Sequence, residues 1–186
     1  MTTPPMNPAP EIAAQNRLLT PADLLAVSAL EASVFGPGRF ARTAYRVREG
    51  NPAISAFCYG AFLGPRLIAS LRMTRIVIGA TGPHLLLGPL SVAPDFSGQG
   101  YGRGLIAQAL ANAKTSGIGI VTLVGDMPYY GRFGFTPVPP GKILFPGPVN
   151  PARVLACELT PGTLAAATGM VTATPLKAPT LKARSA

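Results

Sequence analysis

The region 85–117 constrains the fold of this chain more than any other part of the sequence. It begins with an apolar run, passes through a proline and a glycine-rich turn, and then becomes periodic. Tyr101, Leu105, Ala109 and Ala113 recur every four residues and therefore share one apolar face of a helix. Gly117 follows where the helix is expected to end. The pattern predicts a strand, a glycine loop and a helix.

The glycine loop is suited to binding an anion. The first N–H groups of a helix have no partner within the helix and lie at the positive end of its dipole. Glycines at 98, 100, 102 and 104 leave those donors uncovered, so a phosphate group can approach the backbone. The alternative is a turn that only packs the helix against a sheet. A dinucleotide-binding fingerprint does not fit, because Arg103 and Leu105 occupy positions where it requires glycine. A P-loop does not fit either, because the Gly-Lys-Ser/Thr that it requires is absent.

The same stretch resembles the acyl-CoA-binding motif of the GNAT superfamily of N-acetyltransferases. Leu90-Ser91-Val92-Ala93-Pro94 matches the strand end Leu-x-Val-x-Pro, and Gly100-Tyr101-Gly102 matches the glycine pair of Gln/Arg-x-x-Gly-x-Gly/Ala. Ser97 stands where the family usually has Gln or Arg, which removes one expected contact but leaves the backbone donors. The resemblance implies that acetyl-CoA is bound by Leu90, Ser91, Val92, Ser97, Gly98, Gln99, Gly100, Tyr101, Gly102 and Arg103.

A second motif lies between Gly125 and Phe135. Asp126 followed by a proline two positions later predicts the start of a short helix that ends at Gly134. The motif resembles the GNAT signature Tyr-x-x-(aromatic or Leu)-Gly-Phe, in the form typical of the bacterial YhbS-like branch, and Tyr130 takes the tyrosine position. This implies that Tyr130 is the general acid that protonates the departing CoA thiolate. The alternative is a core tyrosine whose hydroxyl bonds to backbone.

The resemblance also implies the fold. We expect an α/β (α+β) fold with a mixed, mostly antiparallel twisted sheet of about six to seven strands, flanking helices and a splayed central strand pair. Gly88-Pro89 interrupts the central strand, and a bulge there would open the wedge into which the pantetheine arm enters. We expect a flexible lead at 1–16, one acetyltransferase domain at 17–170 and a flexible basic tail at 171–186.

Local patterns predict the remaining elements. They are a helix starting at the capping residue Thr20, a second helix at 40–49, strands at 55–63, 67–78, 118–124, 142–145 and 153–159, and a loop at 79–83. The second helix carries Arg39, Arg42, Arg46 and Arg48 on or beside it. We interpret this run as a solvated basic face, with a part in the acceptor mouth or a contact to an anionic ligand as the alternative.

Composition limits the class of protein. The chain has 186 residues, of which 48% are hydrophobic and 12% charged, as expected of one globular domain. The net charge of +9 indicates either a solvated basic surface or attraction for an anionic ligand, and CoA is itself a polyanion. Aromatic and basic residues do not interleave as in RNA-binding modules, which argues against nucleic acid. Without an evident signal peptide, membrane-length apolar run or metal motif, we expect a cytoplasmic bacterial enzyme without metal.

We therefore predict an N-acetyltransferase that moves an acetyl group from acetyl-CoA directly to an amine in a ternary complex. The alternative is a non-catalytic GNAT-like protein that binds or senses acyl-CoA. The sequence does not identify the acceptor, which is a small amine, an antibiotic, or a protein N-terminus or lysine. It does not determine the oligomeric state either, and a homodimer is one alternative. No general base is identified: His84 is one candidate, although a surface loop position is the favoured interpretation for it, and water is another.

Overall fold

A computed structural model of the protein describes residues 13–38 and 43–174. The strands are β1 (Gln15–Leu18), β2 (Tyr59–Leu63), β3 (Arg66–Ile78), β4 (Thr81–Val92), β5 (Ile120–Val124), β6 (Thr136–Pro137), β7 (Ile143–Leu144), β8 (Val154–Glu158) and β9 (Gly169–Ala173). The helices are α1 (Leu24–Phe35), α2 (Thr43–Arg48), α3 (Tyr101–Thr115), α4 (Met127–Tyr130) and α5 (Thr163–Ala166). Within these ranges, every helix is too short or too polar to cross a membrane.

One mixed sheet organises the fold. Its order is β1-β2-β3-β4-β5-β8-β6, with β9 added beside β3 and β7 beside β9. All neighbouring strands are antiparallel except the pairs β4–β5 and β7–β9. The mostly antiparallel sheet with flanking helices confirms the predicted fold class. The described residues form nine strands rather than six or seven, because β6 is a two-residue strand that contains a proline and β9 overlaps the segment expected to be a tail.

The two faces of the sheet carry different helices. On one face, α3 buries Leu105, Ala109 and Ala113 completely against the central strands, as its apolar periodicity predicted. Fully burying a side chain such as Leu105 contributes about 1.5–3 kcal/mol. On the other face, α1 packs Val27 and Leu30 against residues at the start of β3 and the end of β4. The helices thus hold both sides of β4, the strand from which the site is built.

The central strand contains the predicted bulge. Leu71 of β3 pairs with Leu90 of β4, whereas Met73 pairs with Leu87, so Gly88 and Pro89 together lie opposite the single residue Arg72. Gly88 has φ +126°, which a residue with a side chain rarely adopts, and the Gly88–Pro89 peptide is cis. Side chains of a strand alternate between the two faces of the sheet, and one extra residue shifts this alternation by one position. The side chains of β4 before and after the bulge therefore follow different alternation patterns.

Several predicted boundaries were wrong. The strand predicted from residue 55 begins only at Tyr59, because the Ser55 hydroxyl instead donates to Met73 O and holds a turn. The loop predicted at 79–83 is a two-residue turn, since β4 begins at Thr81. The helix predicted at 40–49 is described from Thr43 to Arg48, and Arg39 and Arg42 lie outside the described residues.

The predicted ends of the domain also differ from the structure. β1 begins at Gln15 and pairs with β2, so positions 15 and 16 belong to the sheet rather than to the lead. Thr172 and Ala173 pair with Val77 and Ile76 of β3, so the tail predicted from residue 171 begins too early. Short segments such as β1 and β9 become strands because a neighbouring strand is available to pair with them. Residues 175–186, which hold the rest of the predicted tail, lie outside the described residues.

Candidate active site

A wedge opens between the parallel strands β4 and β5. They pair only through Leu85 with Val121 and Leu86 with Thr122, although β4 continues to Val92. The Ala93 N–H donates to Ile68 O at 2.8 Å, which fixes the direction of the backbone at the end of β4. Because successive backbone groups of a strand point to opposite sides, Leu90 and Val92 direct theirs away from β3, into the wedge. The predicted splay is therefore present, with backbone donors and acceptors along its edge.

The wedge leads into a cavity of about 530 Å³, which we call the wedge cavity. It is lined by Phe35, Thr43, Tyr45, Leu87, Gly88, Pro89, Leu90, Leu123, Val124, Gly125, Asp126, Tyr130, Pro148, Val149, Asn150 and Arg153. One wall comes from α1 and α2, another from the bulge of β4, and a third from the end of β5 and the start of α4. This volume suits a small molecule or the end of a longer one.

Tyr130 lies on α4 where the wedge ends. Its ring packs so closely on the backbone after β5 that a Cβ at Gly125 would lie 2.5 Å from Tyr130 Cε2. Phe135 and Tyr129 contact the ring edge to face, at centroid distances of 5.7 and 4.9 Å. Burial raises the pKa of Tyr130 to about 12, so the phenol is protonated at neutral pH.

The Tyr130 hydroxyl makes no hydrogen bond with the part of the chain that the structure describes. A core tyrosine normally satisfies its hydroxyl through backbone or a neighbouring side chain. The hydroxyl is therefore free to contact water or a ligand in the wedge cavity, which Tyr130 lines.

A second cavity, of about 310 Å³, lies at the start of α3, and we call it the loop pocket. It is lined by Val92, Phe96, Ser97, Gly98, Gly100, Tyr101, Gly102, Arg103, Tyr129 and Arg132. Gly100 precedes the 15-residue α3 with φ +94°, which favours glycine. The residues of the first turn, whose N–H groups have no partner within the helix, line the pocket. The guanidinium groups of Arg103 and Arg132 add positive charge to the loop pocket. Helix donors and cations together suit a phosphate or pyrophosphate.

The two cavities follow one another along β4. Val92 lines the loop pocket and Leu90, two residues earlier, lines the wedge cavity. In the same way, Tyr129 lines the loop pocket and Tyr130 lines the wedge cavity. A Cβ at Gly102 would lie 3.2 Å from the Tyr129 hydroxyl and 3.3 Å from Val92 Cγ2, so glycine permits this close approach of α3, α4 and β4.

Two of the predicted cofactor-binding residues lie away from these cavities. Ser91 is fully buried, and its backbone points to β3 because it alternates with Leu90 and Val92. The side chain of Gln99 turns back and donates to Asp95 O at 3.0 Å. Neither orientation can be read from a motif, since both depend on which neighbouring group the residue meets. The other predicted residues line one cavity or the other.

His84 and Asp126 also differ from their predicted settings. His84 is not in a surface loop: it lies within β4, is 3% exposed and pairs with Ile76, and burial lowers its pKa. It lies beside Gly119, before the start of β5, whereas Tyr130 follows the end of that strand. Asp126 precedes α4 without a side-chain capping bond, and its carboxylate instead lies 3.2 Å from the Arg153 guanidinium.

Tyr129 and Arg132 were not singled out from the sequence. Arg132 donates to Pro128 O at 3.3 Å and stacks over Tyr129, with its Cζ 5.5 Å from the ring centroid. Both residues belong to the Tyr-Tyr-Gly-Arg-Phe-Gly-Phe run at 129–135, but only the packing of α4 beside α3 brings their side chains to the glycine loop. Among the described residues, His, Cys, Asp and Glu form no cluster of three or more that could hold a metal ion.

A strand wedge, a pocket at a helix start and a half-buried tyrosine between them are the features that the resemblance to acyltransferases predicted. The family model described as acetyltransferase (GNAT) domain matches residues 15–138, and the chain belongs to this family. No curated protein matches the chain.

Solved structures agree with the family. The GNAT family N-acetyltransferase YhbS from Escherichia coli, solved with CoA, has a TM-score of 0.74 at 22% identity over 90% of this chain and 93% of its own. A GNAT family acetyltransferase from Brucella melitensis, solved with acetyl-CoA, has a TM-score of 0.57 at 25% identity, covering 78% and 96%. The ribosomal-protein-S18-alanine N-acetyltransferase from Escherichia coli has a TM-score of 0.56 at 17% identity, covering 80% and 95%.

Proposed function

We propose that the protein is an N-acetyltransferase that binds acetyl-CoA and an amine together and transfers the acetyl group directly. The observation that supports this most is the continuous path from the loop pocket, along the free edge of β4, to Tyr130. The CoA and acetyl-CoA complexes of the two GNAT structures above support the choice of donor.

In this proposal the N–H groups at the start of α3 bind the pyrophosphate of acetyl-CoA, with Arg103 and Arg132 nearby. The backbone groups of Leu90 and Val92 hold the pantetheine arm as an added strand would be held. The thioester then reaches the wedge cavity near the bulge, and the amine enters the same cavity from the side of α1 and α2.

The chemical step follows from the groups that line the cavity. A neutral amine nitrogen attacks the thioester carbonyl carbon, the carbon–sulfur bond breaks, and the sulfur leaves as a thiolate. Tyr130 gives its phenolic proton to that sulfur as general acid. Water takes the proton that the nitrogen loses, and the tyrosinate regains a proton from solvent. The products are an amide and free CoA.

The test is to incubate the purified protein with acetyl-CoA and a panel of amines and to follow the release of free thiol. We expect release that depends on both the protein and an amine. Calorimetry with acetyl-CoA, run beside it, distinguishes the alternative favoured by Ser97, a protein that senses acyl-CoA without turnover. Binding without thiol release from any amine would support that alternative and contradict the enzyme.

Acetyl-CoA affinity gives the first prediction. Replacing Arg103 and Arg132 together with Gln should raise the dissociation constant roughly 30-fold, because each exposed guanidinium contributes about 1 kcal/mol toward the phosphates. The effect should shrink as salt is added, since exposed charges are screened. Isothermal titration calorimetry at two salt concentrations measures both effects.

The control is Arg75→Gln, which removes one positive charge from an exposed position on β3 away from the loop pocket. Its dissociation constant should equal that of the wild-type protein at both salt concentrations. If the control weakens binding as much as the double variant, only the net charge matters, and the loop pocket is not the phosphate site.

A further inference from the structure

The layer between α2 and the sheet is charged rather than apolar. Arg72 of β3 approaches Glu31 of α1 with 3.4 Å between Nη1 and Oε1, and its Nη2 donates to Ala53 O at 2.6 Å. The Tyr45 hydroxyl of α2 donates to Glu31 Oε2 at 2.8 Å. Arg48 of α2 enters the same layer, and its Nε donates to Thr74 Oγ1 at 3.2 Å. We call Glu31, Tyr45, Arg48, Arg72 and Thr74 the polar layer.

The polar layer has unbalanced charge. It contains two guanidinium groups and one carboxylate, while burial raises the pKa of Tyr45 to about 12 and keeps it neutral. Arg48 and Arg72 are only 8% and 9% exposed. Both Nη atoms of Arg48 and Nε of Arg72 are buried without a hydrogen-bond partner among the described residues. A layer that served only stability would be expected to pair such donors, because unpaired buried charge is costly.

The unpaired end of Arg48 lies directly behind the wall of the wedge cavity. Its Cζ is 5.1 Å from the centre of the Tyr45 ring, and Tyr45 lines that cavity. Gly88, at the bulge of β4, also lines the wedge cavity. The place where a Cβ of Gly88 would stand has one heavy atom within 4 Å, Arg48 Nη2 at 4.0 Å, so the space in front of the glycine is open. An oxygen atom about 1 Å nearer to Arg48 than this position would lie within hydrogen-bonding reach of Nη2.

The remaining charges of the wedge cavity do not offset Arg48. Asp126 and Arg153, both in its wall, lie 3.2 Å apart and neutralise each other. The described residues around the cavity and the polar layer therefore sum to one excess positive charge. Such a site repels polycations, and it attracts a ligand that carries an anion.

We propose that the amine acceptor is an amino-acid-like molecule whose carboxylate is bound by the Arg48 guanidinium in the open space before Gly88. This inference rests on the proposed function and names the substrate class of the same site. The guanidinium fork matches a carboxylate through two parallel hydrogen bonds, which the unpaired Nη1 and Nη2 can supply. A bound carboxylate also balances the charge of the polar layer. The burial and the nearby Arg72 that lower the pKa of Arg48 to about 10 make this compensation stronger.

The test compares L-amino acids with their α-carboxamides, and adds spermidine and an aminoglycoside as polycationic amines. Thiol release is measured at equal concentrations of neutral amine, because the amide group lowers the pKa of the neighbouring amine. For wild-type protein we expect kcat/KM to be roughly 10- to 100-fold higher for the acids than for the amides, as a charged hydrogen-bonded pair predicts. The polyamines should be the poorest acceptors.

Three variants assign the preference to Arg48. Arg48→Met should reduce the ratio of acid to amide to about one, mainly through KM for the acids, whereas Arg48→Lys should keep part of it because the charge remains. The control is Arg46→Gln, two residues earlier on α2, which loses the same charge from an exposed position and should keep the wild-type ratio. The melting temperature of Arg48→Met should not fall, since an unpaired buried charge is removed.

The outcomes separate this inference from the proposed function. Thiol release that favours amides or polyamines, or an Arg48→Met variant that lowers activity on acids and amides equally, overturns the carboxylate site and leaves the acetyltransferase intact. If Arg48→Met does not fold, the ratio for Arg48→Lys decides, and an unchanged ratio overturns the inference. A protein that neither binds acetyl-CoA nor releases thiol with any amine overturns both.

Discussion

Replacement of Tyr130 by Phe should lower kcat by about 10²- to 10⁴-fold, the usual contribution of a positioned general acid. The variant keeps the ring, which fills the space beside Gly125 and contacts Phe135, so the fold should not change. It loses only the hydroxyl, which has no partner in the described protein. Because this hydroxyl lies beyond the loop pocket, the dissociation constant of acetyl-CoA should change little. Steady-state kinetics and calorimetry measure the two quantities separately.

Tyr129→Phe is the matched control, because it removes the same group from the neighbouring residue. Its hydroxyl lies beside Gly102 in the loop pocket, so this variant should affect acetyl-CoA affinity more than kcat. Loss of kcat in Tyr129→Phe, with full turnover in Tyr130→Phe, would reverse the two assignments. Full turnover in both would assign the proton to water or to a group of the acceptor.

The pH dependence offers a further readout of the same tyrosine. Because its pKa is raised to about 12, the phenol stays protonated through the range in which enzymes are assayed. The rate of the wild-type protein should therefore rise with pH as the acceptor amine loses its proton. At any pH up to about 10, the rate should show no decrease caused by loss of the tyrosine proton.

Replacement of Glu31 by Gln should destabilise the protein by about 3–5 kcal/mol, the usual cost of removing one partner from a buried ion pair. The Glu31 side chain is 4% exposed, and it is the only carboxylate of the polar layer, facing Arg72 directly and Arg48 across the layer. Glutamine keeps the shape but leaves two buried guanidinium groups without a negative charge. The midpoint of urea unfolding at neutral pH measures the change.

Two further variants test the charge argument. Glu49→Gln removes a carboxylate from an exposed position after α2 and should change stability by no more than about 0.5 kcal/mol. Adding Arg48→Met to Glu31→Gln should restore part of the lost stability, because one of the two uncompensated charges is then removed. A Glu31→Gln variant as stable as the wild type would mean that the polar layer is hydrated and its charges are not buried.

The sequence by itself determined the features that depend on residues close together in the chain. The strand, glycine loop and helix of 85–117 follow from apolar periodicity and from glycines that leave helix donors uncovered. The bulge at Gly88 and Pro89 follows from a proline that cannot join a ladder, and the tyrosine after β5 follows from its motif. These patterns also identified the GNAT family, which the match of residues 15–138 confirms.

Only the tertiary structure decided which way side chains with several options turn. Arg48 belongs to a run interpreted mainly as a solvated basic face, yet it is buried because Thr74 and Gly88, 26 and 40 residues further along the chain, lie beneath α2. Ser91 turns from the wedge because the bulge sets the alternation of β4, and Asp126 meets Arg153 because β8 pairs with β5. Local propensity fixes which elements form and roughly where they lie. The partner that each polar group meets depends on contacts between distant segments, and those exist only once the sheet has formed.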